Sequence, residues 1–207
     1  MTTIDAVIFD YGFTISSEHY FNVPHPRIPR WHELIQETVF ADERVVSEWM
    51  RGGISLHDVA DILQKRTGED LDSILIYLRD GCRNLKENKA VIEFARQLSM
   101  NSVPIGLVTV NADVFNEVVV SEHRYDELFD VIINSCDYGE LDKRVLWPLA
   151  FNQLGKHVGY GNSLLVEDSK NEVQMFRDAG GCAIQYVDDA TFLAETRRSA
   201  ALNQWVW

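Results

Sequence analysis

The sequence predicts a three-layer α/β protein. A mainly parallel sheet is covered by helices, with a helical insertion after the first strand. Three observations carry this. Short apolar runs that stop abruptly at a polar residue recur along the chain. Stretches with helical apolar spacing lie between those runs, the alternation expected of a parallel sheet. Residues 17–86 hold helical patterns but no strand-like run.

Ala6-Val7-Ile8-Phe9 is the first run and stops at Asp10. It is continuously apolar rather than alternating, the pattern of a strand buried on both faces. Val23-Pro-His-Pro-Arg-Ile-Pro-Arg30 reads as an irregular connector into the insertion. Trp31, Leu34, Ile35 and Val39 mark one helix there. Leu56, Val59, Ala60 and Leu63 mark a second, with Ser55 as N-cap and Gly68 as stop. Leu71, Ile74, Leu75 and Leu78 mark a third.

The pattern then returns to alternation. Lys89–Met100 is helical through Ala90, Val91, Phe94, Ala95 and Leu98. Val103–Val108, interrupted by Pro104, ends at Thr109, and a helix begins near Asp113. Val131-Ile132-Ile133 ends near Ser135 and is followed by a helix over Arg144–Leu154. Ser163–Val166 ends at Glu167-Asp168, and Glu172–Ala179 is helical up to the stop Gly180-Gly181. Cys182–Val187 ends at Asp188-Asp189. The division is residues 1–16 and 87–207 for the sheet domain and 17–86 for the insertion. Leu202–Trp207, with Trp205 and Trp207, is expected to dock on the core or on a partner.

Composition narrows the function. Among 207 residues, 32 acids face 19 lysines and arginines, a formal net charge of −13. Nucleic acid and anionic membrane surfaces need a basic patch and are excluded as main partners. Cys82, Cys136 and Cys182 are odd in number and form no CxxC pair, so no disulfide framework is expected. The start Met-Thr-Thr-Ile-Asp lacks a signal peptide's basic and apolar regions, and a cytoplasmic protein is expected.

In sheets of this kind ligands sit at the carboxyl ends of the strands. Asp10, at the end of the first strand before a Gly-containing turn, is a candidate carboxylate nucleophile, or it only starts a loop. Thr109-Val110-Asn111 offers a hydroxyl, an amide and backbone N–H groups for an anion, or it simply caps the following helix. Lys143, where a helix begins, can neutralise a phosphoryl oxygen or a negatively charged nucleophile, or it is a solvated surface lysine. Glu167-Asp168-Ser169-Lys170-Asn171-Glu172 places three carboxylates at one crevice. They repel one another unless a hard cation such as Mg²⁺ joins them; the alternative is an acidic helix start favoured by the dipole.

The ordered set Asp, Thr, Lys and acidic pair, each at the end of its own strand, resembles the haloacid dehalogenase-like (HAD) hydrolase superfamily. The matching pieces are Phe9-Asp10-Tyr11-Gly12-Phe13-Thr14, Leu107-Val108-Thr109-Val110-Asn111, Ser135-Cys136-Asp137-Tyr138-Gly139 with Lys143, Leu164-Leu165-Val166-Glu167-Asp168-Ser169, and Ala179-Gly180-Gly181. A receiver domain also uses Asp, Thr and Lys, but its nucleophile follows the third strand and it carries no cap. The resemblance implies a Rossmann-like core and makes residues 17–86 a helical cap. It implies that Asp10 attacks a phosphomonoester to form an aspartyl-phosphate. Mg²⁺ would be held by Asp10, the Gly12 carbonyl and Asp168, and the phosphoryl group by Thr109, Lys143 and the turn Gly12, Val110 and Asn111. The expected substrate is a small phosphorylated metabolite, and the expected state is a monomer or homodimer.

The sequence departs from the family pattern in three places. Phosphatases of the family carry a second Asp, the general acid and base, where this chain has Gly12. Losing a general acid costs about 10²- to 10⁴-fold. His19, His25 or His32 are candidate substitutes. Lys143 is not followed by the usual Pro, which leaves Arg144 as a second candidate. Glu167 replaces a Gly or Asp, and both Glu167 and Glu172 are expected in the outer shell, where Glu172 would hold Lys143 or a metal-bound water. Three further readings follow from Gly12. One is a metal-independent 2-haloacid dehalogenase. Another is a phosphonate hydrolase with Lys65 or Lys86 as Schiff base. The third is a binding or regulatory protein on a degenerate scaffold. Arg27, Arg30, Trp31 and Arg83 are the candidate substrate-lining groups.

Overall fold

A computed structural model describes residues 4–198. Five strands, β1 (Ala6–Phe9), β2 (Ile105–Thr109), β3 (Val131–Asn134), β4 (Ser163–Glu167) and β5 (Cys182–Gln185), form one sheet in the order β3-β2-β1-β4-β5. Every pairing is parallel. The predicted α/β fold, with a Rossmann-like parallel sheet, is thus the observed one.

The helices are α1 (Trp31–Ile35), α2 (Glu43–Met50), α3 (Leu56–Thr67), α4 (Leu71–Arg83), α5 (Lys89–Met100), α6 (Val120–His123), α7 (Tyr125–Leu128), α8 (Ser135–Tyr138), α9 (Lys143–Leu154), α10 (Lys170–Asp178) and α11 (Asp189–Arg198). Alternation along the strands sorts the core into two layers. Ile8, Val108 and Leu165 pack with Leu146, Trp147 and Ala150 of α9 and Phe176 of α10. Val7, Phe9, Leu107 and Val166 face Val91, Phe94 and Leu98 of α5 and Phe192 of α11. The helices α1–α4 between β1 and α5 bury Trp49, Leu56, Val59, Leu63, Ile74 and Leu78 in the same apolar cluster as the second layer.

Local signals explain the boundaries. Ser55 and Asp58 form a reciprocal capping box at α3, and Gly68 ends it in the left-handed conformation at φ 71°. α9 begins at Lys143 and α10 at Lys170, ahead of the predicted starts, because Asp142 and Ser169 accept from the N–H groups of Arg144 and Glu172. β2 starts at Ile105 rather than Val103, since Pro104 can only accept, which it does from Val7 N–H at 3.0 Å. β5 stops at Gln185, short of the predicted Val187, which is exposed. Two π-helical turns, Gln36–Phe40 and Phe115–Val119, were not anticipated by the 3.6-residue pattern. The three cysteines are free. Among the described residues no helix is long and apolar enough to cross a membrane. The expected docking of Leu202–Trp207 falls outside the described residues.

Candidate active site

Register brings the site together. Phe9 pairs with Val166, so Asp10 and Glu167 stand level at the carboxyl ends of β1 and β4. Each lies two residues beyond a side chain of the α9 layer, Ile8 and Leu165, and therefore points to that same layer. There they meet Lys143 at the first turn of α9. The lysine Nζ donates to Asp10 Oδ1 at 2.7 Å and Glu167 Oε2 at 2.7 Å, and reaches Glu172 Oε2 of α10 at 2.6 Å. Three carboxylates thus surround the ammonium. Asp10, Glu167 and Lys143 are all buried.

The electrostatics follow from that burial. Desolvation alone would lower the Lys143 pKa, but Asp10, Glu167 and Glu172 outweigh it and hold it above its ordinary value. Burial pushes Asp10 up, against the pull of Lys143, and Asp168 and Glu172 push the same way. Burial, and then the charge of Asp10, push Glu167 up to about 10 despite Lys143. One ammonium does not balance this many carboxylates. Oxygen atoms of Asp10, Glu167 and Asp168 lie within 4.8 Å of one another, a set able to hold a cation. Carboxylate donors suit a hard divalent ion such as Mg²⁺.

The turn after Asp10 is held from two sides, by Asp168 and by Asn88. The Asp168 N–H donates to Thr14 Oγ1 at 2.9 Å, and that hydroxyl donates to Asp168 Oδ1 at 3.3 Å. Asn88, before α5, donates to the carbonyls of Phe13 at 3.1 Å and Thr14 at 2.9 Å. Phe13 adopts φ 52°, a strained value for a large side chain. At Gly12 an added Cβ would meet nothing within 4 Å, so steric room does not require the glycine.

Thr109 is buried at the end of β2, and no protein partner among the described residues takes its hydroxyl. The turn Thr109-Val110-Asn111 is less free than expected. Asn111 N–H donates to Ser135 Oγ, Ala112 N–H to Asn111 Oδ1, and the Asn111 amide to Tyr20 OH at 2.9 Å. Two N–H groups and the amide are therefore committed to the protein. A cavity of about 280 Å³ opens beside this turn, against Tyr11, Gly12, Phe13, His19, Tyr20 and Val110.

The other sequence candidates sort cleanly. Glu172 Oε2 lies 2.6 Å from the Lys143 ammonium. Glu167 touches Lys143 directly rather than from behind other groups. Arg144 turns outward to Asp142. Arg27 and Arg30 line a separate cleft with Glu33 and Glu37, and Arg83 pairs with Asp80 and Glu122. Trp31 is buried against His25, whose Nε2 lies 3.2 Å from Ser73 Oγ, inside the insertion. Lys86 is exposed and bound to Glu18, and Lys65 is exposed on α3. Of the three histidines only His19 borders the cavity, its ring edge-on to Phe13 at 4.8 Å. Sequence reasoning missed Thr14 and Asn88. Thr14 sits in the first motif, but Asn88 gave no local signal.

No family model matches the chain, and no curated protein matches it in sequence. Solved structures do match. A HAD family enzyme from Bacteroides thetaiotaomicron, in complex with magnesium and inorganic phosphate, superposes with a TM-score of 0.63 over 89% of this chain and 94% of its own, at 11% identity. The chain shares the fold of HAD family enzymes. A predicted HAD-like family hydrolase from Porphyromonas gingivalis gives a TM-score of 0.64 at 14% identity, over 95% of this chain and 99% of that one. The L-2-haloacid dehalogenase from Xanthobacter autotrophicus gives 0.63 at 15% identity, over 96% and 84%.

Proposed function

We propose that the chain is a HAD-like hydrolase, that residues 17–86 form its helical cap, and that it is a Mg²⁺-dependent phosphatase of a small phosphorylated substrate. One observation carries this reading: the cation-competent set Asp10, Glu167 and Asp168 lies against the Asp10–Lys143 pair. A dehalogenase needs no metal and gains nothing from gathering carboxylates there. The neighbour holding magnesium and phosphate supports the same choice.

Lys143 occupies Oδ1 of Asp10 and leaves the second carboxylate oxygen to attack phosphorus. Glu167 and Glu172 fix the lysine in that position. The Thr109 hydroxyl and the Val110 backbone would bind the transferred group, since the Asn111 N–H and amide are committed to Ser135 and Tyr20. Mg²⁺ held by Asp10, the Gly12 carbonyl and Asp168 would offset the charge on the phosphoryl oxygens. Attack gives an aspartyl-phosphate, which water hydrolyses.

The test is a panel of phosphorylated metabolites and aryl phosphates assayed with Mg²⁺ and with chelator, repeated on Asp10→Asn. Phosphate release that needs both the metal and Asp10 is the expected result. Halide release from 2-haloacids in chelator would instead favour a dehalogenase. Silence on every ester, with unchanged binding of a phosphate mimic in Asp10→Asn, would favour a binding protein.

A further inference from the structure

The cavity beside the nucleophile turn carries a statement about the leaving group. Its remaining lining comes from Glu18, Gln36, Phe40, Met50 and Asn111. No lysine or arginine is among these residues. The single carboxylate, Glu18, is occupied by Lys86 at 2.8 Å. The Asn111 amide is spent on Tyr20. Four aromatic rings, Tyr11, Phe13, Tyr20 and Phe40, and the side chains of Met50 and Val110 supply most of the wall. Such a wall offers flat apolar contact, and His19 and Gln36 are polar side chains in it with no hydrogen-bond partner among the described residues. It does not match the many hydroxyls of a sugar or a second anionic group, whose burial without partners is costly. At about 280 Å³ it sits just below the roughly 300 Å³ at which sites for drug-sized ligands begin, so it takes a single ring system.

The chemistry of the turn points the same way independently. Gly12 provides no acid to protonate the departing oxygen, although the backbone there has room for a side chain. An alkoxide departing unprotonated is a poor leaving group, whereas a phenolate is stable as an anion. We infer that the substrate is the phosphate monoester of an uncharged aromatic alcohol, whose leaving oxygen departs as the anion.

This rests on the phosphatase reading. An Asp10 oxygen forms the bond to phosphorus while the bond from phosphorus to the aryl oxygen breaks. The phenolate carries away the electron pair and takes its proton from solvent. Water then cleaves the acyl phosphate, returning the Asp10 carboxylate and inorganic phosphate. The departing oxygen acts only in the first step, so kcat/KM senses it, while kcat becomes common to esters whose phosphorylation is fast.

The experiment measures kcat/KM with Mg²⁺ for nitrophenyl, chlorophenyl, phenyl and carboxyphenyl phosphates, and for glycerol phosphate and glucose 6-phosphate. Asp10→Asn serves as blank. We expect kcat/KM to fall by at least about 100-fold from nitrophenyl to phenyl phosphate, the lower size of a missing general acid. Phenyl phosphate should exceed both alkyl esters and the carboxyphenyl ester. His19→Gln should leave the slope across the aryl series unchanged. Gln36→Arg, which places a cation in the lining, should raise the carboxyphenyl ester relative to phenyl severalfold. A flat aryl series, or alkyl phosphates cleaved as well as aryl ones, overturns the inference and leaves the phosphatase reading standing. No metal-dependent turnover of any ester overturns that reading, and the inference falls with it.

Discussion

The indole Nε1 of Trp49, in α2, donates to Oδ1 of Asp113, just beyond β2, at 2.7 Å. The other oxygen of the same carboxylate accepts the backbone N–H of Leu56 at 2.8 Å, at the first residue of α3. One aspartate just after β2 therefore ties down the end of α2 and the start of α3. Ser135, at the end of β3, adds a bond to the Met50 carbonyl at 2.6 Å, and Arg51 one to the Gly139 carbonyl at 2.8 Å. These partners lie just beyond the carboxyl ends of β2 and β3, so the clasp ties α2 and the start of α3 to that end of the sheet.

Asp113→Ala should loosen that clasp. It leaves the buried Trp49 indole N–H and the Leu56 N–H without their acceptor. At about 1–3 kcal/mol for each of the two stranded donors, the loss is about 2–6 kcal/mol. Urea denaturation gives the change, and limited proteolysis should show new cleavage between α2 and α3. An unchanged midpoint would mean that the clasp holds nothing.

Gly52 and Gly68 form an internal comparison at the insertion. Both have φ 71°. A Cβ on Gly52 would stand 2.3 Å from the Cys136 carbonyl oxygen, whereas one on Gly68 would meet nothing within 4 Å. Gly68→Ala should cost about 1–2 kcal/mol, the strain of a left-handed alanine. Gly52→Ala must also displace α2 from α8, and should cost clearly more in the same denaturation assay. Equal costs would show that the contact with Cys136 yields freely.

Much of this was legible in the sequence because parallel strands buried on both faces write continuous apolar runs. The polar residues that end them then mark the rim of the sheet. Lys143 meets Asp10 although no proline follows it, and Glu172 lies against the same ammonium. What sequence could not supply is the direction of long side chains and the prior commitments of polar groups. Arg27 reaches Glu69, between α3 and α4, and Arg83 reaches Glu122 of α6 instead of the cavity, since each finds a carboxylate closer to hand. The Asn111 N–H looked free until Ser135, at the end of the next strand, was seen to take it. Thr14 and Asn88 matter only through tertiary contacts with Asp168 and the carbonyls of the nucleophile turn. The aromatic cavity likewise joins residues from four separate stretches of chain.

Stability should depend on pH through Glu87, where the chain returns from the insertion. Its carboxylate lies 3.1 Å from His123 Nδ1 and accepts from Tyr125 OH at 2.9 Å. The His123 bond is the main reason its pKa lies below the usual range, with burial opposing. A carboxyl depressed in the folded state contributes stability that is present above its unfolded value, about 4.3, and lost as pH falls through the folded value. Glu87→Gln should therefore lower stability by about 1–3 kcal/mol at pH 7. The wild-type advantage should shrink below about pH 4.3. A constant difference from pH 7 down to pH 3 would remove Glu87 from the acid response.

Lys143→Met tests whether the buried charges need a counter-ion. The variant keeps much of the side chain's volume but leaves Asp10, Glu167 and Glu172 facing one another without the ammonium. Breaking a buried ion network by removing one partner costs about 3–5 kcal/mol, because the remaining charges lose their compensation. Such carboxylates recover by binding a cation or by taking up protons. Mg²⁺ should therefore raise the melting temperature of Lys143→Met by more than it raises that of the wild type, through preferential binding to the folded state. The double variant Lys143→Met with Asp168→Asn should lose most of that rescue, because Asp168 belongs to the cation-competent set. Rescue that survives the second change would place the cation elsewhere on this acidic protein.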